Sequence, residues 1–463
     1  MIGRGGTVPH YVLGEMFSGP GGIALGAELA SRDAIKEGRC STVRHGWAVE
    51  YHPDTAETYR KNIHGATDET VFTADVRGFD LRKVPAFDAF AFGFPCNDFS
   101  TVGEHRGLEG DYGALYTYGV HALALRRPEW FLAENVSGLS RANGGRAFGK
   151  ILSALRRPGA AALTDPSFTS YYGPDAEEVD EDLEYELVAH LYKFEKYGVP
   201  QRRHRILIVG IRRDVRESLP RGFRVPLPTT PAKWQQRTAR DVLENEPIDP
   251  SAYNNVPIKH RRSVVERLKA IQPGKNAFNT TFDDDSLVLN VKGATLSNIY
   301  RKLDPDEPSY TVTGSGGGGT HMYHWNEPRA LTNRERARLQ TFPDSFRFYG
   351  SQPSVRRQVG MAVPPEGAQV VIDAILKTMD GETYEAETRP SIDVGRLIRA
   401  YEAEEADGML ASRADDQLEI PLEQQGPDRT RVRAGPGGSI IRGRQAVHAT
   451  LDEPNSLTGS RSG

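Results

Sequence analysis

The sequence predicts an α/β fold with a mostly parallel sheet, and three observations predict it. Short apolar runs alternate with helical stretches through the N-terminal part of the chain, the pattern of strands covered by helices on both faces. Several runs end in a polar or reactive residue, Glu50, Asp75, Cys96 and Glu134, at the carboxyl edge where such sheets bind ligands. The composition is that of a folded protein: 38% hydrophobic and 26% charged residues, with a net charge of −4. At ~150 residues per domain, 463 residues leave room for about three domains. The N-terminus lacks the apolar core of a signal peptide. No run of ~18 apolar residues predicts a membrane span. Cys40 and Cys96 are the two cysteines, too few for a disulfide framework or a four-thiolate zinc site.

The elements follow in order. Residues 11–17 form the first expected strand and run into Ser18-Gly19-Pro20-Gly21-Gly22, with a helix over residues 23–30. Further strands are expected at 46–50, 71–74, 87–94, 129–133, 185–194 and 205–211. Residues 177–186 are acidic and read as a solvated surface insertion. From residue 223 prolines punctuate a weakly periodic segment, followed by a basic helix over 260–271. Residues 314–319 are a glycine-rich flexible loop. Thr332 with Glu335 three residues later forms a capping box that opens a helix, and residues 367–379 form another. Beyond Asp380 the chain is charged and glycine-rich, with a helical island at 397–409; this extension is expected to be largely flexible or partner-binding.

Each candidate residue has a chemical reason. The glycine turn lets a ligand approach the backbone closely. Glu50 fits a pair of ribose hydroxyls, and Asp75 can accept from an adenine amino group. No triphosphate loop is present, so an adenosyl cofactor without phosphates, such as S-adenosylmethionine, is served as well as NAD. Cys96, after a strand-ending Pro95, is placed to act as a nucleophile through its thiolate. Glu134 is placed to protonate or hydrogen-bond a ring nitrogen. In extended backbone Gln201, Arg203 and Arg205 share one face, and an arginine facing a pocket anchors an oxygen or phosphate. The plainer alternatives are caps or surface pairs for the carboxylates, a small buried hydrophobe for Cys96, and an exposed basic turn for the arginines.

Taken together, these segments resemble the DNA (cytosine-5) methyltransferase family over residues 12–376, with a divergent gap at 223–296. Phe17-Ser18-Gly19-Pro20-Gly21-Gly22 resembles its cofactor loop, Glu50-Tyr51 its ribose acid and adenine-stacking aromatic, and Asp75-Val76 its adenine-contacting pair. Gly113-Ala114-Leu115 is similar to another cofactor-lining segment. Pro95-Cys96 matches the nucleophile motif, Glu134-Asn135-Val136 the base-binding acid, and Gln201-Arg202-Arg203-His204-Arg205 the Gln-x-Arg-x-Arg motif. Arg329-Ala330-Leu331-Thr332 and Leu339-Gln340 resemble the segment supporting target recognition, and Gln358-Val359-Gly360-Met361-Ala362-Val363-Pro364 the last motif. Asn97 stands where Gln is common, and Met361 where Asn is usual.

The resemblance implies an S-adenosylmethionine-dependent, Rossmann-like methyltransferase domain with a smaller target-recognition domain. The catalytic domain would span residues 1–222 and be completed by 351–380, with target recognition over 223–350 and the extension over 381–463. It implies catalysis by Cys96, Glu134 and Arg205, with Arg203 in support, on a cytosine flipped from the duplex, and no metal. Phe17, Ser18, Gly19, Gly21, Gly22, Glu50, Tyr51, Asp75, Val76, Pro95, Leu115, Gly360, Met361 and Ala362 would bind the cofactor. Asn97, Ser100, Gln201 and the basic residues Lys259, Arg261, Arg262 and Lys275 would meet double-stranded DNA, with Arg301, Arg334, Arg336, Arg338, Arg356 and Arg357 as further candidates. A cytoplasmic, nucleoid-associated monomer is expected, serving restriction–modification or phage defence alongside other proteins of such a system. The alternatives are a transfer-RNA cytosine-5 methyltransferase on the same fold, a catalytically silent DNA-binding homologue, and a nucleotide-linked dehydrogenase. The last leaves Cys96 and the arginines unexplained.

Overall fold

The apolar runs assemble into one seven-stranded sheet. In chain order the strands are β1 (His10–Met16), β2 (Thr42–Glu50), β3 (Val71–Thr73), β4 (Ala89–Phe92), β5 (Trp130–Val136), β6 (Tyr185–Lys193), β7 (Gln201–Arg202), β8 (His204–Arg212) and β9 (Ser309–Tyr310). The sheet order is β3-β2-β1-β4-β5-β8-β6, while β7 and β9 pair separately. Pairings among the first five strands are parallel, and β8 runs antiparallel to both β5 and β6. This computed structural model describes residues 10–94, 115–289, 298–314, 316 and 319–416. Pro95, Cys96, Asn97, Ser100, Gly113 and Ala114 lie outside the described residues, as does the chain beyond residue 416.

Alternation along β4 shows why both faces are covered. Phe90 and Phe92 enter one core with Trp47, Phe131, Phe148 and Ile151. Ala89 and Ala91 face the other, with Ala27, Ala30, Val371 and Ile375. The small residues allow the helices Gly22–Lys36 and Pro365–Met379 to lie close together on that side. A Cβ at Gly26 would come within 2.6 Å of the Ala368 Cβ, so this helix pair has no room for a larger residue. Gln352–Met379 is apolar enough by composition to resemble a membrane span, but its most apolar window is 72% buried in this packing.

One expectation is corrected here. The residues up to Gly408 form one compact unit, so residues 381–408 are not a flexible extension. Glu387 N–H donates to the Val225 carbonyl (2.8 Å) and Leu227 N–H to that of Glu385 (3.1 Å). Ser391 Oγ accepts from Leu191 N–H on edge strand β6 (2.8 Å), which blunts an otherwise open edge. The helix Val394–Asp416 then buries Ile398 in the main core. The apolar positions Ile392, Val394, Leu397 and Ile398 were masked by the charged composition around them. The acidic stretch stands on the surface as expected: Glu177, Glu178, Asp180, Glu181 and Asp182 are exposed, and at its end Glu184 pairs with Arg156 and Arg213, and Glu186 with Arg216.

The described residues of 223–350 hold much less regular structure: three α-helices of five to nine residues, Ala239–Leu243, Arg262–Ala270 and Asn333–Leu339, two three-residue 3₁₀ turns and the two-residue strand β9. The expected capping box is present, with Thr332 accepting from Glu335 N–H (3.1 Å) and Glu335 accepting from Thr332 N–H (2.7 Å).

Candidate functional site

The sheet order reverses between β1 and β4, and the crevice beyond their carboxyl ends is the site such topology favours for a ligand. β1 delivers the glycine turn there, and β4 leads through Phe94 into the segment that carries Cys96. Phe17 (φ 54°), Gly19 (φ 56°) and Gly21 (φ 97°) all take left-handed backbone, which is costly for phenylalanine and easy for glycine. A Cβ at Gly22 would stand 2.1 Å from the Val363 carbonyl oxygen, whereas one at Gly19 would meet nothing within 4 Å among the described residues. Gly22 therefore serves packing, and Gly19 leaves open space at the sheet edge.

Glu50 closes the turn. Its two carboxylate oxygens accept from Gly19 N–H (3.0 Å) and His52 N–H (2.9 Å). Burial raises its pKa despite these donors. Each oxygen retains a lone pair for a hydroxyl. Tyr51 beside it is 62% exposed and Met361 is 64% exposed, while Val76, Leu115 and Ala362 are buried. Asp75 is less free than expected. It caps a short 3₁₀ turn at Arg77 N–H (3.0 Å), and its carboxylate is gripped by the Arg77 guanidinium (2.6 Å), which lowers its pKa.

Glu134 and Arg205 meet on the same edge. Because β8 runs antiparallel to β5, Arg205 at its start lies opposite Val136 near the end of β5. Arg205 Nε stands 2.8 Å from Glu134 Oε1, with both side chains mostly buried. Asn135, between them, donates to the Phe94 carbonyl (3.1 Å) and so fixes the last described residue before Pro95-Cys96.

Two assignments change. Gln201 is fully buried: its amide donates to the Leu339 carbonyl (3.2 Å) and Gln340 (2.8 Å), and it accepts from Val312 N–H (2.8 Å). It is an internal tie and cannot meet DNA. Arg203 is also buried, donating to the carbonyls of Val312 (3.1 Å) and Met361 (3.3 Å). Burial and the adjacent Arg205 drive its pKa well down, and its guanidinium is committed to the interior. Gln201 and Arg203 do share a face, but it is turned inward, where both clamp Val312.

Among the basic candidates Lys259, Arg261, Arg262 and Lys275 are exposed. Arg334 and Arg338 are consumed internally. Arg334 donates to the carbonyls of Tyr253 and Pro343 (both 2.9 Å), and Arg338 pairs with Asp344 while donating to the Val242 carbonyl (2.9 Å).

Sequence reasoning missed Glu15. It lies in β1 two residues before the turn, buried, and receives the Tyr59 hydroxyl; His45 contacts the same hydroxyl (3.1 Å). Burial pushes its pKa up to about 8, so it is neutral at pH 7. The available signal was a carboxylate inside an apolar strand.

Comparison with known proteins agrees with this arrangement. Residues 11–159 and 177–377 match the family model of the C-5 cytosine-specific DNA methylases. The Type II methyltransferase M.BbvI of Brevibacillus brevis is 50% identical over 369 residues, covering 79% of this chain and 90% of its own. The DNA (cytosine-5-)-methyltransferase M.ApeKI of Aeropyrum pernix is 30% identical, covering 80% and 99%. A crystal structure of a prophage-encoded DNA modification methyltransferase of Escherichia coli superposes with a TM-score of 0.55 at 20% identity, over 80% of this chain and 99% of that one, and supports the fold. The chain belongs to the C-5 cytosine-specific DNA methylase family and is a DNA (cytosine-5-)-methyltransferase.

Proposed function

We propose that the protein methylates cytosine carbon 5 within one short double-stranded DNA sequence, using S-adenosylmethionine, as the modification component of a restriction–modification or phage-defence system. The observation that carries this reading is the Glu134–Arg205 pair at the carboxyl edge of the sheet. A carboxyl group beside a guanidinium complements the edge of cytosine, where N3 and the amino group lie next to the carbonyl oxygen.

The open space at Gly19, the exposed Tyr51 ring and the buried Glu50 fit an adenosyl cofactor. In this reading they hold it with Phe17, Ser18, Val76, Leu115, Gly360, Met361 and Ala362. When bound, S-adenosylmethionine supplies an electrophilic methyl group. The protein must make carbon 5 nucleophilic. Cys96 adds its thiolate to carbon 6, and the displaced electron pair makes carbon 5 enamine-like. Glu134 stabilises the charge developing at ring nitrogen 3 and the amino group, while Arg205 holds the carbonyl oxygen. Arg203 fixes the start of β8 through Val312 and Met361. Once carbon 5 is methylated and its proton lost, the electron pair returns to the ring and the thiolate of Cys96 departs. The target base must leave the helical stack to reach these groups. Residues 223–350 are assigned to target recognition, with Lys259, Arg261, Arg262 and Lys275 meeting phosphates.

Base-resolution cytosine-methylation sequencing of DNA from cells expressing the wild type or Cys96→Ala tests the proposal. Methylation at one short sequence in the wild type alone is expected. Unmethylated DNA in both would turn the reading towards RNA or an inactive homologue.

A further inference from the structure

The helix Asn333–Leu339 carries arginines at alternate positions, and they are treated differently. Arg334 and Arg338 are supplied with carbonyl and carboxylate acceptors. Arg336 is 0% exposed, yet none of its three guanidinium nitrogens has a partner among the described residues. Two more nitrogens without a partner among the described residues belong with it: Nε of Arg356, which is 9% exposed, and Nδ1 of His321. The groups sense one another electrostatically, since the His321 pKa is pushed down to about 4 by burial and by Arg336, Arg356 and His260. Glu335, the adjacent acid, is already committed to Arg329 through both oxygens (2.8 Å each).

A buried guanidinium with no counter-charge is among the most costly arrangements a protein can hold. A chain that satisfies two arginines of this helix, leaves the third without a partner among the described residues and sets beside it an Arg356 whose Nε is also unmatched has built a place for an external anion. Backbone geometry keeps that place formed. The Gly316 carbonyl accepts from Arg356 Nη2 (3.2 Å), and a Cβ at Gly316 would stand 2.4 Å from Arg356 Nε. Gly316 and His321 are half-buried and lie nearest to solvent, with Arg336 innermost.

We infer that Arg336 and Arg356 form a subsite for an oxyanion of the phosphate class, with His321 at its rim. Two guanidinium forks suit the paired oxygens of a phosphate. The group comes from a DNA phosphodiester or from a free phosphate ion; the DNA source rests on the DNA-methylating function proposed above.

The test uses the full-length enzyme and a short duplex containing the sequence that it methylates. Binding is measured against salt for wild type, Arg336→Met and Arg356→Met, with single methylphosphonate linkages scanned along both strands. With a phosphodiester as ligand, one neutral linkage weakens wild-type binding by about ten- to a hundredfold. That penalty disappears in both variants, and their log–log salt slopes are smaller by about 0.9. With free phosphate as ligand, the scan is the same in all three proteins, while inorganic phosphate raises the Tm of the wild type only. Identical scans and slopes with no phosphate-dependent Tm shift would overturn the subsite. Should Arg336→Met fail to fold, Arg336→Lys and Arg356→Lys carry the test, since each keeps a charge and loses the fork. Failure of the wild type to methylate the duplex would strike the functional reading; unaltered profiles in an enzyme that methylates would strike the subsite alone.

Discussion

The sheet and the segment after it are stabilised by different means. In the sheet, apolar side chains alternate across strands such as β4, and the polar residues stand at the strand ends, where Glu50, Glu134 and Arg205 remain near the ligand edge. Over residues 223–350 little regular structure forms, and buried polar side chains hold an irregular chain by bonding its carbonyl and N–H groups directly. Gln340 illustrates this, donating to the carbonyls of Val359 (2.6 Å) and Ala362 (3.3 Å) while accepting from Gln201. Irregular backbone has to find partners for its own polar groups, so the same arginine that would be a ligand contact elsewhere becomes part of the interior here.

The largest expected effect tests this difference directly. Arg334→Met should destabilise the protein by about 3–5 kcal/mol, because it removes the hydrogen bonds that a fully buried guanidinium makes to the carbonyls of Tyr253, Pro343 and the buried Phe346. Phe131→Ala, a pure loss of apolar packing in the sheet, should cost a similar ~3–5 kcal/mol. Urea denaturation of both variants makes the measurement. An Arg334→Met protein within ~0.5 kcal/mol of the wild type would show that its hydrogen bonds contribute little, and the comparison between regions would fail.

That difference also sets how much was legible from the residues alone. The strands were readable because a period of two and an apolar run are signals carried within a few neighbouring residues. The placement of Glu50, Glu134 and the glycine turn at the strand ends was readable for the same reason, since each terminates an apolar run. The inward turn of Gln201, expected at DNA, and of Arg203, expected in support of Arg205, was not legible because nothing local distinguishes a polar residue facing a ligand from one facing Val312. The partners that decide it, Leu339, Gln340 and Met361, lie more than a hundred residues away. Residues 381–408 failed for a related reason: Ile398 looks like one apolar residue in a charged tail until the helix Arg146–Arg156 is set beside it, where a Cβ at Gly149 would come within 2.7 Å of the Leu397 carbonyl oxygen. Glu15 was passed over because its burial depends on Tyr59, which comes from a different element.

Glu15 gives the next largest effect, as an exception inside the sheet. Its folded pKa, about 8, is raised from 4.5, so the folded protein holds a proton that the unfolded chain releases. Stability from this group is complete below about pH 4.5 and is lost as pH rises through about 8, at up to ~1.4 kcal/mol per pH unit in between. Glu15→Gln should remove that slope, measured as the difference in urea midpoints of the two proteins between pH 5 and pH 8. Parallel pH profiles would place Glu15 among ordinary ionised carboxylates.

A smaller effect is expected where the two regions touch. A Cβ at Gly360 would stand 2.0 Å from Gly314 N, so Gly360→Ala forces the helix Gln352–Met361 away from the chain at Thr313 and Gly314. Overpacking of this kind costs about 1–3 kcal/mol. Because Met361 follows directly, the same displacement should raise KM for S-adenosylmethionine more than KM for DNA. Equal changes in both would separate this contact from the cofactor edge.

Asp75→Asn should be nearly silent in stability, and that silence sharpens the comparison. The Asp75–Arg77 pair lies on the surface of the sheet half, where exposed ion pairs contribute about 0–1 kcal/mol, and the amide can still cap the turn at Arg77. Any larger consequence must then come from a ligand. If Asp75 accepts from the adenine amino group, the variant binds S-adenosylmethionine more weakly while its urea midpoint is unchanged, and titration calorimetry against the cofactor separates the two. Unchanged affinity would leave Asp75 as a cap for its own turn, and the polar residues at the strand ends would then divide into ligand contacts at β2 and β5 and a purely local one after β3.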